Sequence, residues 1–331
     1  LVFRVKVKLV AAERIDRDAK TVHLSDGQDL PYATLVIATG ATPRRLDIPG
    51  KELALTLRRI EDSEALQKAY DDASSVVIIG GGWIGLETAA AARKAGLETV
   101  VLEREALPLQ HILGDELATY FAELHRRNGV DVRTSVSVDS ISGTGPYVVH
   151  TGDGDITTDL VVMGVGATPA TGLAEQAGLD VDNGITVDES FHSSDPTIFA
   201  VGDVANARNS VRDETLRVEH WDNAIRQGEA VAKVILGQDA SYDWQPYFFS
   251  DQFDLGMEYV GRSSASDHVA IRGDTSSGEF IAFWIADGRV TAGMNVNVWD
   301  VNDDLRALVG RTVDRDRLVD PDVPLAEVAR D

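Results

Sequence analysis

The chain has 331 residues, 44% hydrophobic and 26% charged, which is the balance of a soluble globular fold with more than one hydrophobic core. Its net charge of −23 argues against nucleic acid and anionic membranes as partners, since both require a dense basic surface. The complete lack of cysteine excludes thiol nucleophiles, redox disulfides, thiolate zinc sites and cysteine-ligated iron–sulfur clusters within this chain.

Length alone predicts two or three domains. No apolar run approaches the ~20 residues that span a bilayer, and no secretory leader follows Leu1, so the expected setting is cytoplasmic with no membrane partner. Residues 2–9 partly alternate apolar and charged side chains, which predicts a half-exposed strand. Residues 21–24 read as a strand, with Asp26-Gly27 as the turn after it. Residues 35–38 predict a short buried strand running into Thr39-Gly40, and Pro43 and Pro49-Gly50 mark a linker. A helix is expected over 60–72, with Asp62 or Ser63 near its start, then a strand over 76–79. An Ala-rich helix over 83–95, ended by Gly96, and a strand over 99–102 complete a βαβ unit.

Further on, a helix is expected over 111–128, closed by Gly129, followed by strands over 130–138, 147–150, 160–164 and 196–200. Residues 223–236 predict a helix capped by Gly237. Beyond about 238 the texture changes. Strands over 248–255, 268–271, 280–285 and 290–298 suggest an antiparallel sheet, with a helix over 301–309. The seven histidines are scattered without metal-ligand spacing, so no metal site is expected.

The strongest local signal is Gly80-Gly81-Gly82-Trp83-Ile84-Gly85, a G-x-G-x-x-G that follows an apolar strand and opens a helix. In that setting Gly80 permits the tight turn and Gly82 lets the backbone approach a pyrophosphate at the helix N-terminus. Gly85 allows close packing of helix on sheet. Glu103 ends the next strand, 18 residues beyond Gly85. There it can accept from a ribose 2′-hydroxyl and repel a 2′-phosphate, which favours NADH over NADPH; Arg104 beside it pulls the other way. A Gly-rich turn that binds nothing is the plain alternative.

On these and further motifs the chain resembles the two-dinucleotide-binding flavoproteins, and most closely their oxygenase-coupled ferredoxin, putidaredoxin and rubredoxin reductases. Residues 35–40, ending in Ala38-Thr39-Gly40, resemble the family's A-T-G strand beside the flavin, with Arg44 just beyond. Gly164-Val165-Gly166 with Pro169 resembles the segment that leaves the NAD domain. Residues 197–203, ending in Gly202-Asp203, resemble the second FAD motif. Glu219-His220-Trp221-Asp222-Asn223-Ala224 resembles the E-x-W-x-N-A segment at the flavin. Residues 246–252, Pro-Tyr-Phe-Phe-Ser-Asp-Gln, resemble the P-W-F-W-S-D-Q opening of the C-terminal domain. Read from chemistry alone, Asp203 is a hydroxyl acceptor or a helix cap, Trp221 can offer an aromatic surface, and core packing is the more frequent role of Trp221, Phe248 and Phe249.

The resemblance implies an α/β fold of two interleaved Rossmann-like domains plus a C-terminal α+β domain. Residues 1–50 and 186–237 would form the FAD domain, 51–185 the NAD domain and 238–331 the C-terminal domain. It implies FAD and NAD(H) as cofactors and a small ferredoxin-like redox protein as partner, with the chain a monomer or homodimer. Glu87, one turn into the dinucleotide helix, is implied to act where the nicotinamide docks; read alone, it is an exposed helix carboxylate near a favourable dipole end. With no cysteine couple to receive an electron pair, the expected reaction is NADH to FAD to an external iron–sulfur protein. A flavin-dependent oxidase or quinone reductase, or a non-catalytic NAD-binding protein, are the competing readings. Two departures stand out. The family's opening strand–GxGxxG–helix unit, which holds the ADP half of FAD, has no counterpart in these residues, so weak or absent FAD retention and a mobile or rearranged FAD-domain remnant are expected. Phe249 stands where the relatives have Trp, which bears on electron exit.

Overall fold

The computed structural model describes residues 5–329. The chain forms two compact units, and it visits each twice. One is built from residues up to Thr42 and from Thr168–Trp244; the other is built from Pro43–Ala167 and from Gln245 onward. This is a mixed α/β architecture with interleaved connectivity.

In the first unit, strands Ala12–Asp16, Thr21–Leu24 and Asp29–Pro31 form an antiparallel meander turned by Asp26-Gly27, whose glycine has φ 80°. Of the strand expected over 2–9, residues 2–4 lie outside the described residues, and residues 5–9 form no strand, with Val5, Val7 and Leu9 exposed. Alternation alone does not make a strand where no neighbour offers hydrogen bonds. Leu35–Ile37 pairs in parallel with Ile198–Ala200. Of the two, Ile198–Ala200 is fully buried, whereas Val36 stays exposed, so the strand over 35–38 is only partly interior. Ile185–Val187 and Ala205–Asn209 pair in parallel, and Glu214–Leu216 adds antiparallel to the latter. The Trp221–Ile235 helix begins two residues earlier than the apolar period suggests. His220 is its N-cap, accepting from Asp222 N through Nδ1 at 3.3 Å, and Gly237 follows its end with φ 73°.

In the second unit, four parallel strands lie in the order Leu160–Met163, Ser75–Ile79, Glu98–Leu102, Val130–Arg133. Their near-continuous Val, Ile and Leu content is that of strands covered on both faces, and Ile78 and Val101 are fully buried. The Ile60–Asp72 helix starts where the Asp62 carboxylate accepts from Arg59 N at 2.9 Å. The Trp83–Lys94 helix ends at Gly96, φ 90°. The Gln110–Arg127 helix breaks at Gly114, whose φ of 75° is non-helical. The strand expected over 130–138 is instead two: Val130–Arg133 in the parallel sheet, and Val138–Gly143 in a separate antiparallel sheet with Tyr147–Thr151 and Gly154–Thr158. Ser135, at φ 59°, turns the chain between them, a feature that apolar content does not signal.

The same unit holds a five-stranded antiparallel sheet of Tyr247–Gln252, Leu255–Gly261, Arg289–Val296, Glu279–Ala286 and His268–Asp274. One face carries Met257, Tyr259, Trp284 and Met294 onto Leu86, Leu113, Leu117 and Phe121 of the dinucleotide and Gln110–Arg127 helices. The opposite face carries Val260, Phe283 and Val290 onto the Asn302–Leu308 and Arg315–Val319 helices through Leu305, Leu308 and Leu318. The Trp284 indole donates to Leu113 O at 3.1 Å, next to the Gly114 break. Among the described residues no helix is long and apolar enough to cross a membrane.

Candidate functional site

At the C-terminal end of the Ser75–Ile79 strand the chain turns through three glycines into the Trp83–Lys94 helix. Gly80 has φ 104°, and a Cβ on it would lie 2.5 Å from Gly164 O. A Cβ on Gly85 would lie 2.0 Å from Gly80 O, so this glycine lets the helix close onto the strand end. Gly82 is different. Its φ of −75° suits any residue, and nothing lies within 4 Å of where its Cβ would stand. Its backbone faces open space at a helix N-terminus, where N–H groups lack intrahelical acceptors and the dipole favours an anion.

That open space is a cleft of about 500 Å³ floored by Ile79, Gly80, Gly82 and Leu102. Glu103, Arg104, Glu105 and His111 line it, as do Arg44, Leu46, Ile48, Val136 and the Gly164-Val165-Gly166 segment. Gly164 N donates to Ile79 O at 2.8 Å, and Arg44 N donates to Gly166 O at 2.8 Å. Gly166 has φ 95° and, like Gly82, open space where a Cβ would stand.

The Glu103 carboxylate is fixed by backbone. Oε2 accepts from Gly81 N at 2.6 Å and Oε1 from Glu105 N at 2.8 Å. Each oxygen keeps a further acceptor site, so hydroxyl groups of a ligand can still be received. Arg104 is largely exposed and bonds Glu105 Oε1 through Nη2 at 3.0 Å, while His111 Nε2 stands 3.7 Å from Glu105 Oε2. Glu105 thus meets both Arg104 and His111 at the cleft.

Trp83 and Ile84 occupy the first turn of the helix. Trp83 packs edge-on against Phe121 at 5.4 Å and Phe248 at 5.1 Å, which makes it a packing residue, while Ile84 is exposed. Glu87 is half-buried, and Ser250 Oγ donates to its Oε1 at 2.6 Å. Burial pushes the Glu87 carboxyl up from its ordinary value, Ser250 pulls it down, and the Asp251 charge pushes it up again. The reading of Glu87 as a freely exposed helix carboxylate is therefore not met.

The remaining candidates lie in the first unit. Thr39 Oγ1 donates to Ala170 O at 2.8 Å, and Gly40, φ 70°, accepts from Ala170 N. Gly202, φ 74°, opens a 3₁₀ turn over Gly202–Val204, and its N–H donates to Gln227 Oε1 at 2.7 Å. Asp203 stands in that turn, and its carbonyl accepts from Arg217, which also pairs with Glu219. His220 is held below its ordinary value by burial, against the pull of Asp222 and Asp203. Trp221 is 57% exposed, so it is not a core residue, whereas Phe248 packs on Trp83 and Tyr259. Arg44 lines the second unit's cleft. No group of three or more His, Cys, Asp or Glu with metal-holding geometry occurs among the described residues.

Sequence reasoning missed three residues behind Glu87. Gln252 Nε2 donates to Ser250 Oγ at 3.0 Å, and Gln252 Oε1 stands 2.8 Å from His125 Nε2. All three side chains are buried. The available signal was two polar residues spaced by two, Ser250 and Gln252, on the inward face of a strand.

A family model described as pyridine nucleotide-disulphide oxidoreductase matches residues 3–228, and one described as reductase C-terminal matches residues 247–329. Putidaredoxin reductase of Pseudomonas putida is 35% identical over 326 residues, 95% of this chain and 77% of that protein. The ferredoxin–NAD(+) reductase component of the anthranilate 1,2-dioxygenase system of Burkholderia cepacia is 36% identical over 330 residues, 97% of this chain and 81% of that protein. Among solved structures, the covalent putidaredoxin reductase–putidaredoxin complex matches with a TM-score of 0.90 at 35% identity, covering 96% of this chain and 79% of that one.

Proposed function

The chain belongs to the pyridine nucleotide-disulphide oxidoreductase family, and we propose that it works there as an NADH-dependent flavoprotein reductase that passes electrons through FAD to a small iron–sulfur protein of an oxygenase or P450 system. One observation carries this reading. An open glycine cradle with a backbone-fixed acid beside it occurs in a chain that has no cysteine to receive the electrons. The matched relatives named for ferredoxin and putidaredoxin support the choice of acceptor.

On this reading residues 51–185, with Arg44, Leu46 and Ile48 just before them, serve the pyridine nucleotide, the rest of 1–50 with 186–237 the flavin, and 238–331 the reductase C-terminal part. The open face at Gly82 and Gly166 is the kind of cradle a dinucleotide needs, so the cleft fits NAD(H). Gly82 and the first N–H groups of the Trp83–Lys94 helix receive the pyrophosphate. Glu103 accepts from the adenine-side ribose hydroxyls, and its fixed charge repels a 2′-phosphate. Arg44 and Gly166 line the path of the nucleotide, and Glu87 orients its nicotinamide end. Thr39, Gly40, Gly202, Asp203, Glu219, His220 and Trp221 hold the flavin. Bound flavin supplies hydride acceptance and single-electron release, which links a two-electron donor to a one-electron acceptor.

The test is a titration of the full chain with NADH and NADPH, followed by NADH-driven reduction of a ferredoxin-type protein with FAD supplied. Tighter NADH binding and reduced acceptor are expected. Equal affinity for the two nucleotides refutes the role of Glu103. An acceptor left oxidised while NADH is consumed by oxygen favours an oxidase.

A further inference from the structure

A line of polar groups starts at Glu87 and runs through three buried side chains that no step above uses. Its members are Glu87 on the dinucleotide helix, Ser250 and Gln252 on the Tyr247–Gln252 strand, and His125 on the Gln110–Arg127 helix. The contacts are 2.6 Å from Ser250 Oγ to Glu87 Oε1, 3.0 Å from Gln252 Nε2 to Ser250 Oγ, and 2.8 Å between His125 Nε2 and Gln252 Oε1.

Proton counting gives this line a direction. A serine hydroxyl has one proton to donate. If Glu87 is ionised, Ser250 must spend that proton on it, so Ser250 must accept from Gln252. The amide of Gln252 then turns its NH₂ toward Ser250 and its carbonyl toward His125, which must donate from Nε2. Burial holds the His125 imidazole below its ordinary value, so it carries a single proton. The Nε2–H form leaves Nδ1 as a bare acceptor, and Nδ1 is indeed buried without a partner. The reversed line needs a protonated Glu87 and a flipped amide. It also needs an Nδ1–H form of His125 that leaves a buried donor unpaired, which is rarer in folded proteins than an unpaired acceptor.

We propose that Ser250, Gln252 and His125 form a one-way chain of hydrogen-bond donors that holds Glu87 as an ionised, oriented carboxylate. They are positioning residues, and the link to nucleotide chemistry rests on the functional reading of Glu87 given above. Asp251 is the charged group that acts on Glu87, and it opposes the ionised state. The donor chain opposes that repulsion and the loss of solvent without cancelling them.

The experiment uses the full chain with ¹⁵N-labelled histidine and ¹³C-labelled glutamate. The His125 signal is assigned by its loss in His125→Asn, and the Glu87 signal by its loss in Glu87→Gln. At neutral pH His125 should show the Nε2–H tautomer; the Nδ1–H tautomer would overturn the proposal. Ser250→Ala should shift the carboxyl titration midpoint of Glu87 upward, and Ser250→Thr, which keeps the hydroxyl, should restore it. A midpoint unmoved by Ser250→Ala in a folded variant also overturns it. An NADH titration of the parent chain separates the two claims: if NADH does not bind, the functional reading of Glu87 fails, while the tautomer still tests the chain of bonds.

Discussion

Gly82 and Gly85 lie three residues apart in one motif, yet their surroundings assign them different work. Replacing Gly82 by Ala adds a methyl where nothing lies within 4 Å, at a φ of −75° that alanine adopts freely. Loss of glycine at the N-cap costs about 0.5–1 kcal/mol. The reduced freedom of the unfolded chain returns about 0.4–1 kcal/mol. The two nearly cancel, so Gly82→Ala should leave stability within about 0.5 kcal/mol of the parent. The methyl projects into the space assigned to the pyrophosphate, so NADH affinity should fall about 10- to 100-fold, or about 1.4–2.8 kcal/mol. Gly85→Ala reverses the pattern. Its methyl would sit 2.0 Å from Gly80 O, so backbone must move by about 1 Å, at a cost of about 1–3 kcal/mol or more. Thermal unfolding gives the first quantity, and fluorescence titration with NADH gives the second. A Gly82→Ala variant that binds NADH as well as the parent would refute the reasoning, because the pyrophosphate then does not approach that backbone.

Other outcomes follow from the same geometry. Glu103→Ala removes the acceptor of two backbone N–H groups, so about 1–3 kcal/mol of stability should be lost and the gap between NADH and NADPH affinity should narrow; an unchanged gap counts against Glu103. Trp284→Ala, at a fully buried indole that bonds Leu113 O, should cost about 3–5 kcal/mol in denaturant unfolding, and a cost under about 1 kcal/mol would contradict the packing described. Burial and Asp251 raise the Glu87 carboxyl, so on raising the pH the unfolded chain releases this proton first. The group's favourable contribution is complete at low pH and is lost as pH rises through the folded-state value. Glu87→Gln should therefore gain stability relative to the parent as pH rises above the ordinary carboxylate range, and a parallel pair of curves would exclude the effect.

The parallel sheet and its glycine turn were legible because their signals are local. The run Ser75-Val76-Val77-Ile78-Ile79, three glycines and an alanine-rich helix each point to the same element. Glu103 was legible from its spacing, but its anchoring by Gly81 was not, because that depends on the register of two parallel strands. The break between Val130–Arg133 and Val138–Gly143 escaped notice because valine content continues through it while the backbone turns at Ser135. The alternation of residues 5–9 promised a strand that has no pairing neighbour. Short pieces such as Ile185–Val187 and Glu214–Leu216 carry too few residues for a period to register. The line from Glu87 to His125 joins residues 38 positions apart on two helices to a strand more than a hundred positions away, a proximity that only packing creates.

The central claim is that this chain carries electrons from NADH to an iron–sulfur protein. The direct measurement mixes the chain, FAD and a ferredoxin-type acceptor under anaerobic conditions, adds NADH, and follows the visible absorbance of the acceptor. About two acceptor molecules should be reduced per NADH, since a hydride carries two electrons, with NADPH much less effective at the same concentration. Consumption of NADH with the acceptor left oxidised, or equal service by NADPH, would contradict it.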